Sequence, residues 1–320
     1  MIKDFSYYDE IIVNSSGGKD SSACLLFLKE NNVPIEKVSM WHQAIDGMGS
    51  TKKNFFDWPS TKGYVQSFAD EFGYALDYQW RAYGFFGEMF RENSRTNDVY
   101  YTYDDSVCRL ATKGGKNSTR LKWPAKTASL SQRWCSAYLK IDVAARALAN
   151  HPRLQNKRIL FITGERREES NTRAKYKEAE LHRCNSKKRL VHHWRPIIDW
   201  KEGEIWSIME RNHIDPHPAY KLGFPRLSCR SCIFYSKDHW ATLNEVDPGT
   251  VKMLQTIEED LNFTIDNKLT LKELVAIGKS KVTEETIQFI SKATSQFKQS
   301  VITNNWTLPS GAFGSGGGSI

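Results

Sequence analysis

At 320 residues, with 40% hydrophobic and 26% charged side chains, the chain has the composition of an ordinary soluble protein and can bury one large core or two smaller ones. No run of eighteen apolar residues occurs and the stretch from Met1 to Ser6 lacks a signal-peptide core, so no membrane is expected and the location read from the sequence is cytoplasmic. Forty-five Lys and Arg against 37 Asp and Glu leave a formal charge of +8, which suits nucleic acid or small anionic substrates without choosing between them.

The apolar, β-branched Ile11, Ile12 and Val13 suit a buried strand, and Ala23, Cys24, Leu25, Leu26 and Leu28 suit a helix packed on a sheet. Between them the chain must turn sharply. Gly17 and Gly18 let the backbone approach a ligand closely, Ser16, Ser21 and Ser22 offer hydroxyls, and the helix start offers free N–H groups: an anion cradle, with a spacing different from the Walker pattern. A strand over 36–42, a helix over 64–72 and a strand over 74–80 complete a β-α-β-α-β order, which predicts an α/β fold with a parallel sheet flanked by helices and right-handed crossovers.

Residues 81–131 break that rhythm and read as an insertion. Within it Lys113, Lys116, Arg120, Lys122 and Lys126 surround Gly114, Gly115, Trp123 and Pro124 with no acidic residue. This predicts a mobile basic loop, either a track for a phosphate backbone with Trp123 free to stack on a base, or a solvated surface excursion. Order returns with a helix over 141–148, a strand over 158–163 that ends at Gly164, an extended run over 191–198 and a helix over 200–211. Pro216 and Pro218 open an irregular segment that reaches Cys229. Helices over 251–261, 271–277 and 284–297 make a small helical region spanning 241–307, and the Gly/Ser-rich stretch 308–320 has the composition of a flexible tail.

Gly164-Glu165-Arg166-Arg167-Glu168-Glu169-Ser170, with Arg173 three residues on, follows a predicted parallel strand. Loops at the carboxyl ends of such strands face the ligand crevice, and guanidinium forks suit phosphate or sulfate oxygens. Arg166 and Arg173 are therefore expected on a ligand's anionic groups and Glu169 on an arginine or a metal; the plainer reading is a solvated charged helix start. Of six cysteines, Cys24 falls on an apolar helix face, whereas the Cys229-x-x-Cys232 spacing suggests metal or redox chemistry in a cytosolic chain. His42 near Asp46 reads as structural or as a neighbour of a bound ribose, and His192 and His193 as polar surface.

Ser16 to Ser21 resembles the Ser-Gly-Gly-x-Asp-Ser loop of the PP-loop ATP pyrophosphatases, and Gly164 to Arg173 resembles the Gly-x-Arg-x-x-Glu-Ser-x-x-Arg signature of their PAPS reductase branch. Trp194 to Trp200 with Glu204-Ile205-Trp206, and His217 to Phe224 ahead of Arg226 to Cys232, are similar to further segments of that branch in the same order. The resemblance runs from about Ile11 to Trp240. It implies an adenine-nucleotide α-hydrolase-like, Rossmann-like catalytic domain over 1–240 that binds ATP and Mg²⁺. Ser16, Gly17, Gly18, Ser21 and Ser22 would cradle phosphates, Gly164, Glu169 and Ser170 would complete the nucleotide site, Lys19 would neutralise the leaving pyrophosphate, Asp20 would hold Mg²⁺, and Arg166 and Arg173 would grip the anion.

In the cluster-bearing reductases of this branch an adjacent cysteine pair stands where this chain has Trp134-Cys135. The resemblance thus implies a 4Fe-4S cluster on Cys135, Cys229 and Cys232, with one iron open to water, hydrosulfide, Cys108 or Cys184. Zinc with His182 or His239 as fourth ligand, or plain thiols, are the alternatives. No cysteine follows Cys232 in this sequence, whereas the reductases attack sulfate with one near the C-terminus. The pattern looks similar to the DndC- and SspD-like sulfur-activating proteins of bacterial DNA phosphorothioation. That implies an ATP pyrophosphatase that adenylates an acceptor so that sulfur can replace oxygen, with a cysteine desulfurase as donor, DNA (or RNA) as acceptor, other phosphorothioation subunits as partners, and a homodimer as an open assembly state. A PAPS or adenylylsulfate reductase using an external thiol, and a non-catalytic nucleotide-binding subunit, are the competing readings.

Overall fold

The computed structural model describes residues 2–49 and 55–314. The chain runs β1 (Glu10–Asn14), α1 (Lys19–Glu30), β2 (Val38–Gln43), α2 (Thr61–Phe72), β3 (Ala75–Arg81), α3 (Gly84–Met89), β4 (Val99–Tyr103) and β5 (Ser106–Leu110). It continues through α4 (Trp134–Ser136), a π turn (Ala137–Ile141), α5 (Asp142–Asn150), β6 (Arg158–Ile162), β7 (Ala179–Leu181) and β8 (Leu190–Trp194). Six further helices follow: α6 (Glu202–Arg211), α7 (Pro218–Lys221), α8 (Lys237–Val246), α9 (Pro248–Leu261), α10 (Leu271–Ile277) and α11 (Phe289–Thr294).

All eight strands join one sheet in the order β5-β4-β3-β2-β1-β6-β8-β7. The five central strands β3-β2-β1-β6-β8 are parallel, and β4, β5 and β7 pair antiparallel at the edges. Pleating sends Ile11 and Val13 into one apolar layer with side chains of α1, α2 and α6, and Ile12 into the other with Ala144, Ala147 and Leu148 of α5. The buried side chains of α8, α9 and α10, such as Leu243, Leu254 and Leu271, belong to the same apolar cluster as α1. The chain winds from β1 outward to β3 and returns to β6 on the other side of β1, so the order reverses between β1 and β6. A crevice at the carboxyl ends of strands opens at such a reversal.

The predicted α/β class is the observed one, and departures from the predicted elements have local causes. The 81–131 segment carries the β4–β5 hairpin, which extends the sheet through a two-residue turn in which Asp104 and Asp105 both take positive φ (45° and 57°). The basic stretch is no mobile loop with a free tryptophan. Trp123 is 1% exposed against Phe56 and Phe85, Arg120 stacks on Trp134 (4.6 Å) and pairs with buried Glu88 (3.2 Å), and Lys126 pairs with Asp266 (2.9 Å). Lys113, Lys116 and Lys122 alone of the five basic residues remain exposed. The extended run at 191–198 stops at Trp194, where Arg195-Pro196 turns away. The irregular stretch before Cys229 holds α7, with Pro218 at its first turn and His217 capping it. The sequence reading missed α8, which Ser236 caps.

Candidate functional site

The turn after β1 is shaped by Gly17, whose φ of +74° is unfavourable for any side chain and whose Cβ, if present, would stand 2.9 Å from Val65. α1 then starts at Lys19 with no side-chain cap. Ser15 and Ser16 accept from the N–H groups of Gly17 and Gly18, the Ser21 hydroxyl donates to the Gly18 carbonyl (2.9 Å), and Lys19 N–H donates to the Tyr220 hydroxyl (3.0 Å). The loop is therefore held from both sides, by its own serines and by α7. Ser22 is buried behind it.

The loop after β6 packs directly on this turn: a Cβ on Gly164 would lie 2.9 Å from the Asp20 backbone. The two motifs line one cavity of about 540 Å³ with Ser16, Gly18, Lys19, Asp20, Ser21, Gly164, Glu165, Arg166, Glu169, Ser170 and Arg173 on its wall. Gly17 and Ser22 lie outside that wall.

The loop-end charges are already partnered. The Arg166 guanidinium, 2% exposed, donates to Asp20 (2.7 Å) and pairs with Glu168, and Arg173 pairs with Glu169. Lys19 Nζ donates to the Pro225 carbonyl (3.2 Å) and lies 3.8 Å from Asp20 and 3.6 Å from Glu202. Burial opposes the charge on both Lys19 and Asp20. It is outweighed at Lys19 chiefly by Asp20, which holds the ammonium above its ordinary value, and at Asp20 by Lys19 and Arg166, which hold the carboxyl below its own. Glu165 is held low in the same way: burial raises it, and the Thr163 hydroxyl, His193 and Arg195 more than offset that. The Thr163 hydroxyl donates to Glu165 and contacts His193 Nε2 (2.6 Å), so His193 supports the site wall and is no free surface group.

Cys135, Cys229 and Cys232 also meet. They line a smaller cavity of about 40 Å³ with Phe85, Leu139 and Ile233, and its wall shares Lys140, Arg226, Ser228 and Phe234 with the larger cavity. Burial pushes the Cys135 thiol up and the Cys229 thiol well up. The π turn puts Lys140 on this shared wall, where its ammonium donates to the Ser228 carbonyl (3.4 Å). Trp134, fully buried against Phe85 (4.7 Å), fills the position next to Cys135.

The other groups weighed as ligands lie elsewhere. Cys108 is on β5, Cys184 bonds the Ala145 carbonyl, His182 rests on Phe161 and His193, and His239 bonds Ser236 and Lys281. Among the described residues no three His, Cys, Asp or Glu side chains are placed to hold a single metal ion. The three thiols, with no carboxylate on the same wall, are a soft donor set of the kind an iron–sulfur cluster takes. His42 is buried, with Nδ1 on the Ser15 carbonyl (2.9 Å) and Nε2 3.8 Å from Asp57, at the end of β2.

Sequence reasoning missed Tyr220, Arg133, Lys140, Arg226 and Phe234. Arg226 and Phe234 flank the Cys-x-x-Cys pair and Arg133 and Lys140 flank Cys135, so their nearness to a recognised motif was the available signal. The tail also reaches the site. Gly311 N–H donates to the Tyr220 carbonyl (2.8 Å), Phe313 N–H to Glu202 (3.1 Å), and Gly314 lines the cavity, while residues 315–320 of the predicted flexible tail lie outside the described residues.

Residues 84–234 match the phosphoadenosine phosphosulfate reductase domain, a span that includes the arginine motif and all three thiols and begins downstream of the Ser16–Ser21 loop. An adenosine 5′-phosphosulfate reductase of Allochromatium vinosum is 25% identical over 133 residues, 42% of this chain and 45% of that protein. One of Burkholderia cepacia is 29% identical over 135 residues, 42% and 47% of the two chains. The chain thus spans about half the length of the curated reductases it matches. An uncharacterised 37.8 kDa protein of Escherichia phage 186 is 24% identical over 242 residues, 72% of this chain and 69% of the other. Among solved structures, Candida glabrata FMN adenylyltransferase in complex with FMN and an ATP analogue overlaps with a TM-score of 0.38 at 12% identity, covering 69% of this chain and 55% of that one, a likeness too slight to carry an argument about this chain. No helix of the described residues is long and apolar enough to cross a membrane.

Proposed function

We propose that this chain binds an adenine nucleotide on the Ser16–Ser21 loop and supports cleavage of the anhydride at its 5′-phosphate, coupled to sulfur chemistry at Cys135, Cys229 and Cys232. The observation that carries the reading is the shared wall: a phosphate-type loop and a three-thiol cavity open on the same four side chains, Lys140, Arg226, Ser228 and Phe234. The reductase relatives favour adenosine 5′-phosphosulfate as the substrate. In that reaction a thiolate of an external dithiol attacks the sulfur, the S–O bond breaks and AMP leaves with the electron pair; the second thiol then displaces sulfite and the dithiol ends as a disulfide. The chain's share is to hold the 5′-phosphate against the loop N–H groups, to neutralise it with Lys19 and to exclude water. Cys135, Cys229 and Cys232 would hold an iron–sulfur cluster, which would supply soft, Lewis-acidic iron at the thiol cavity.

A second form rests on the Ser16–Ser21 loop, whose resemblance is to ATP pyrophosphatases and whose residues other than Gly17 line the cavity. In that form an acceptor phosphate oxygen, on DNA or RNA, attacks the α-phosphate and pyrophosphate leaves; the persulfide of a cysteine desulfurase then attacks the activated acceptor phosphorus, AMP leaves with the bond pair, and a thiol breaks the remaining S–S bond, releasing the phosphorothioate and forming a disulfide, as in phosphorothioation. Asp20 is the cavity-wall carboxylate that would meet the Mg²⁺ carried by ATP.

Two assays on an anaerobic preparation separate the forms: sulfite release from adenosine 5′-phosphosulfate with a dithiol, and pyrophosphate release from ATP with acceptor and sulfur donor. Sulfite alone establishes the first and pyrophosphate alone the second. Neither activity, with no nucleotide binding by calorimetry, refutes the proposal.

A further inference from the structure

Tyr220 of α7 lines the nucleotide cavity beside the Ser16–Ser21 loop. Its side chain is 2% exposed, packs edge-on against Trp206 of α6 (5.3 Å, 88°) and has the Lys19 ammonium 5.6 Å from its ring centroid. The short helix that carries it is pinned at its start, where Pro218 takes the first turn and His217 accepts the Ala219 N–H on Nδ1 and meets the Ser60 hydroxyl through Nε2. The phenol is therefore fixed in place before any ligand arrives.

Its hydroxyl is only half satisfied. The oxygen accepts the Lys19 N–H (3.0 Å), and among the described residues its own hydrogen goes to no acceptor. Glu202 and the Pro225 carbonyl, which also line the cavity, serve the Lys19 ammonium instead. A Cβ on Gly18 would stand 3.2 Å from the phenol oxygen, so this unanswered donor lies against the turn itself. Burial pushes the phenol's pKa up against the opposing pull of Lys19, and the hydrogen stays on the oxygen at neutral pH.

A buried donor without an acceptor costs free energy in the empty protein, and groups of this kind are answered by a partner. The turn lacks what Tyr220 offers. The N–H groups of Gly17, Gly18 and Lys19 already donate to Ser15, Ser16 and Tyr220, so the cradle has fewer free donors than its glycines suggest. A phosphate oxygen seated there would supply the missing acceptor, and a donor that is already rigid forms the charge-assisted bond with little further loss of entropy.

We propose that Tyr220 is a phosphate ligand: its hydroxyl, held by the Lys19 N–H, donates to an oxygen of the phosphate seated on the Ser16–Ser21 loop. The inference rests on that loop being the nucleotide site, and it adds a donor from outside both the loop and the arginine motif.

Titration calorimetry of the full chain with AMP and with adenosine, which lacks the phosphate, tests it on wild type, Tyr220→Phe and Tyr220→His, each checked by thermal melting. Loss of one donor to a charged acceptor should weaken AMP about 10- to 100-fold while adenosine changes less than about twofold. Tm should fall by only about 1–2 °C, the effect of one neutral hydrogen bond in a chain of this length. Tyr220→His keeps a flat ring with an N–H donor and should fall between Tyr220→Phe and wild type. Equal weakening of AMP and adenosine assigns Tyr220 to the shape of the turn and overturns the ligand role. AMP binding that Tyr220→Phe leaves unchanged or tightens overturns it too, a gain showing that the hydroxyl merely covers the Lys19 N–H until phosphate displaces it. Each of these results leaves the loop reading standing, whereas wild type that binds no AMP overturns both. If Tyr220→Phe fails to fold, the same comparison on Tyr220→His decides the matter.

Discussion

If Arg166 acts by positioning Asp20, then Arg166→Met should damage folding stability and nucleotide affinity together. The guanidinium is 2% exposed and ties the loop after β6 to the first turn of α1 through Asp20 at 2.7 Å, with Glu168 and the Trp200 carbonyl as its other partners. Breaking a buried ion pair by removing one partner costs about 3–5 kcal/mol when the other charge is left stranded. Here the stranded groups are partly open, with Asp20 and Glu168 side chains 23% and 30% exposed, and Lys19 and Lys201 remain 3.8 Å from them. The lower value of about 2–3 kcal/mol follows once that solvent screening is allowed for. At about 2.1 cal/mol/K of unfolding entropy per residue, a chain of this length should lose roughly 3–5 °C in Tm. A urea-denaturation double-mutant cycle with Asp20→Asn should show a coupling of about 1–3 kcal/mol between the two positions, and calorimetry should show weaker binding of AMP as well as of longer nucleotides. A variant with unchanged Tm, no coupling to Asp20 and lost binding of the longer nucleotides alone would refute this reasoning and make Arg166 a direct ligand of the anion.

His217 is buried as a neutral ring, taking the Ala219 N–H on Nδ1 (3.1 Å) and contacting the Ser60 hydroxyl through Nε2 (3.0 Å), and burial pushes its pKa down to about 3. The folded value is depressed, so its contribution is whole above the ordinary 6.5 and is lost as pH falls from there toward 3, by up to about 1.4 kcal/mol per unit. His217→Asn should flatten the pH dependence of the urea midpoint between pH 6.5 and 4; parallel wild-type and variant curves would contradict it. A side chain at Gly311 would meet the Phe224 carbonyl at 2.3 Å, so Gly311→Val should release the 309–314 strap and raise amide exchange at Gly311 and Phe313, and unchanged protection would show the strap is held in some other way. Replacing Lys113, Lys116 and Lys122 together by Ser should leave Tm unchanged, whereas Arg120→Met should lower it by removing one of the three arginines around buried Glu88 and its stacking on Trp134. If those three lysines track nucleic-acid phosphates, the slope of log K against log salt should fall by about 0.9 per contact for a duplex, and an identical slope removes them from any such surface.

The parts of this fold legible in the sequence are those whose cause is local. Ile11–Val13, the Gly17–Gly18 turn and the apolar face of α1 form a unit of strand, turn and helix whose every residue type states its own conformational need. The β4–β5 hairpin was hidden because its turn is Asp104-Asp105, a pair without glycine, and its outer strand is exposed. Trp123 and Arg120 were misread because composition reports what a stretch could do in water. Phe56, Phe85, Trp134 and Glu88, which bury them, come from elsewhere in the chain.

The site shows the same division with a sharper consequence. Its members could be recognised singly, because a phosphate loop and a Cys-x-x-Cys pair each have a spacing that chemistry imposes. Which cations are available to a ligand could not be read that way. Arg166 and Arg226 are the same residue type in the same cavity, yet one is neutralised by Asp20 and Glu168 and the other faces a ring and two thiols. That difference depends on the reversal of strand order between β1 and β6, which sets the loop after β6 on the start of α1 and brings Glu165, Glu168 and Glu169 to the cavity that Asp20 lines. The arginine signature thus marks where the two loops lock together. The two cavities meet at Lys140, Arg226, Ser228 and Phe234, residues that flank the cysteines in sequence, so the link between the loop and the thiols lies outside both recognised motifs.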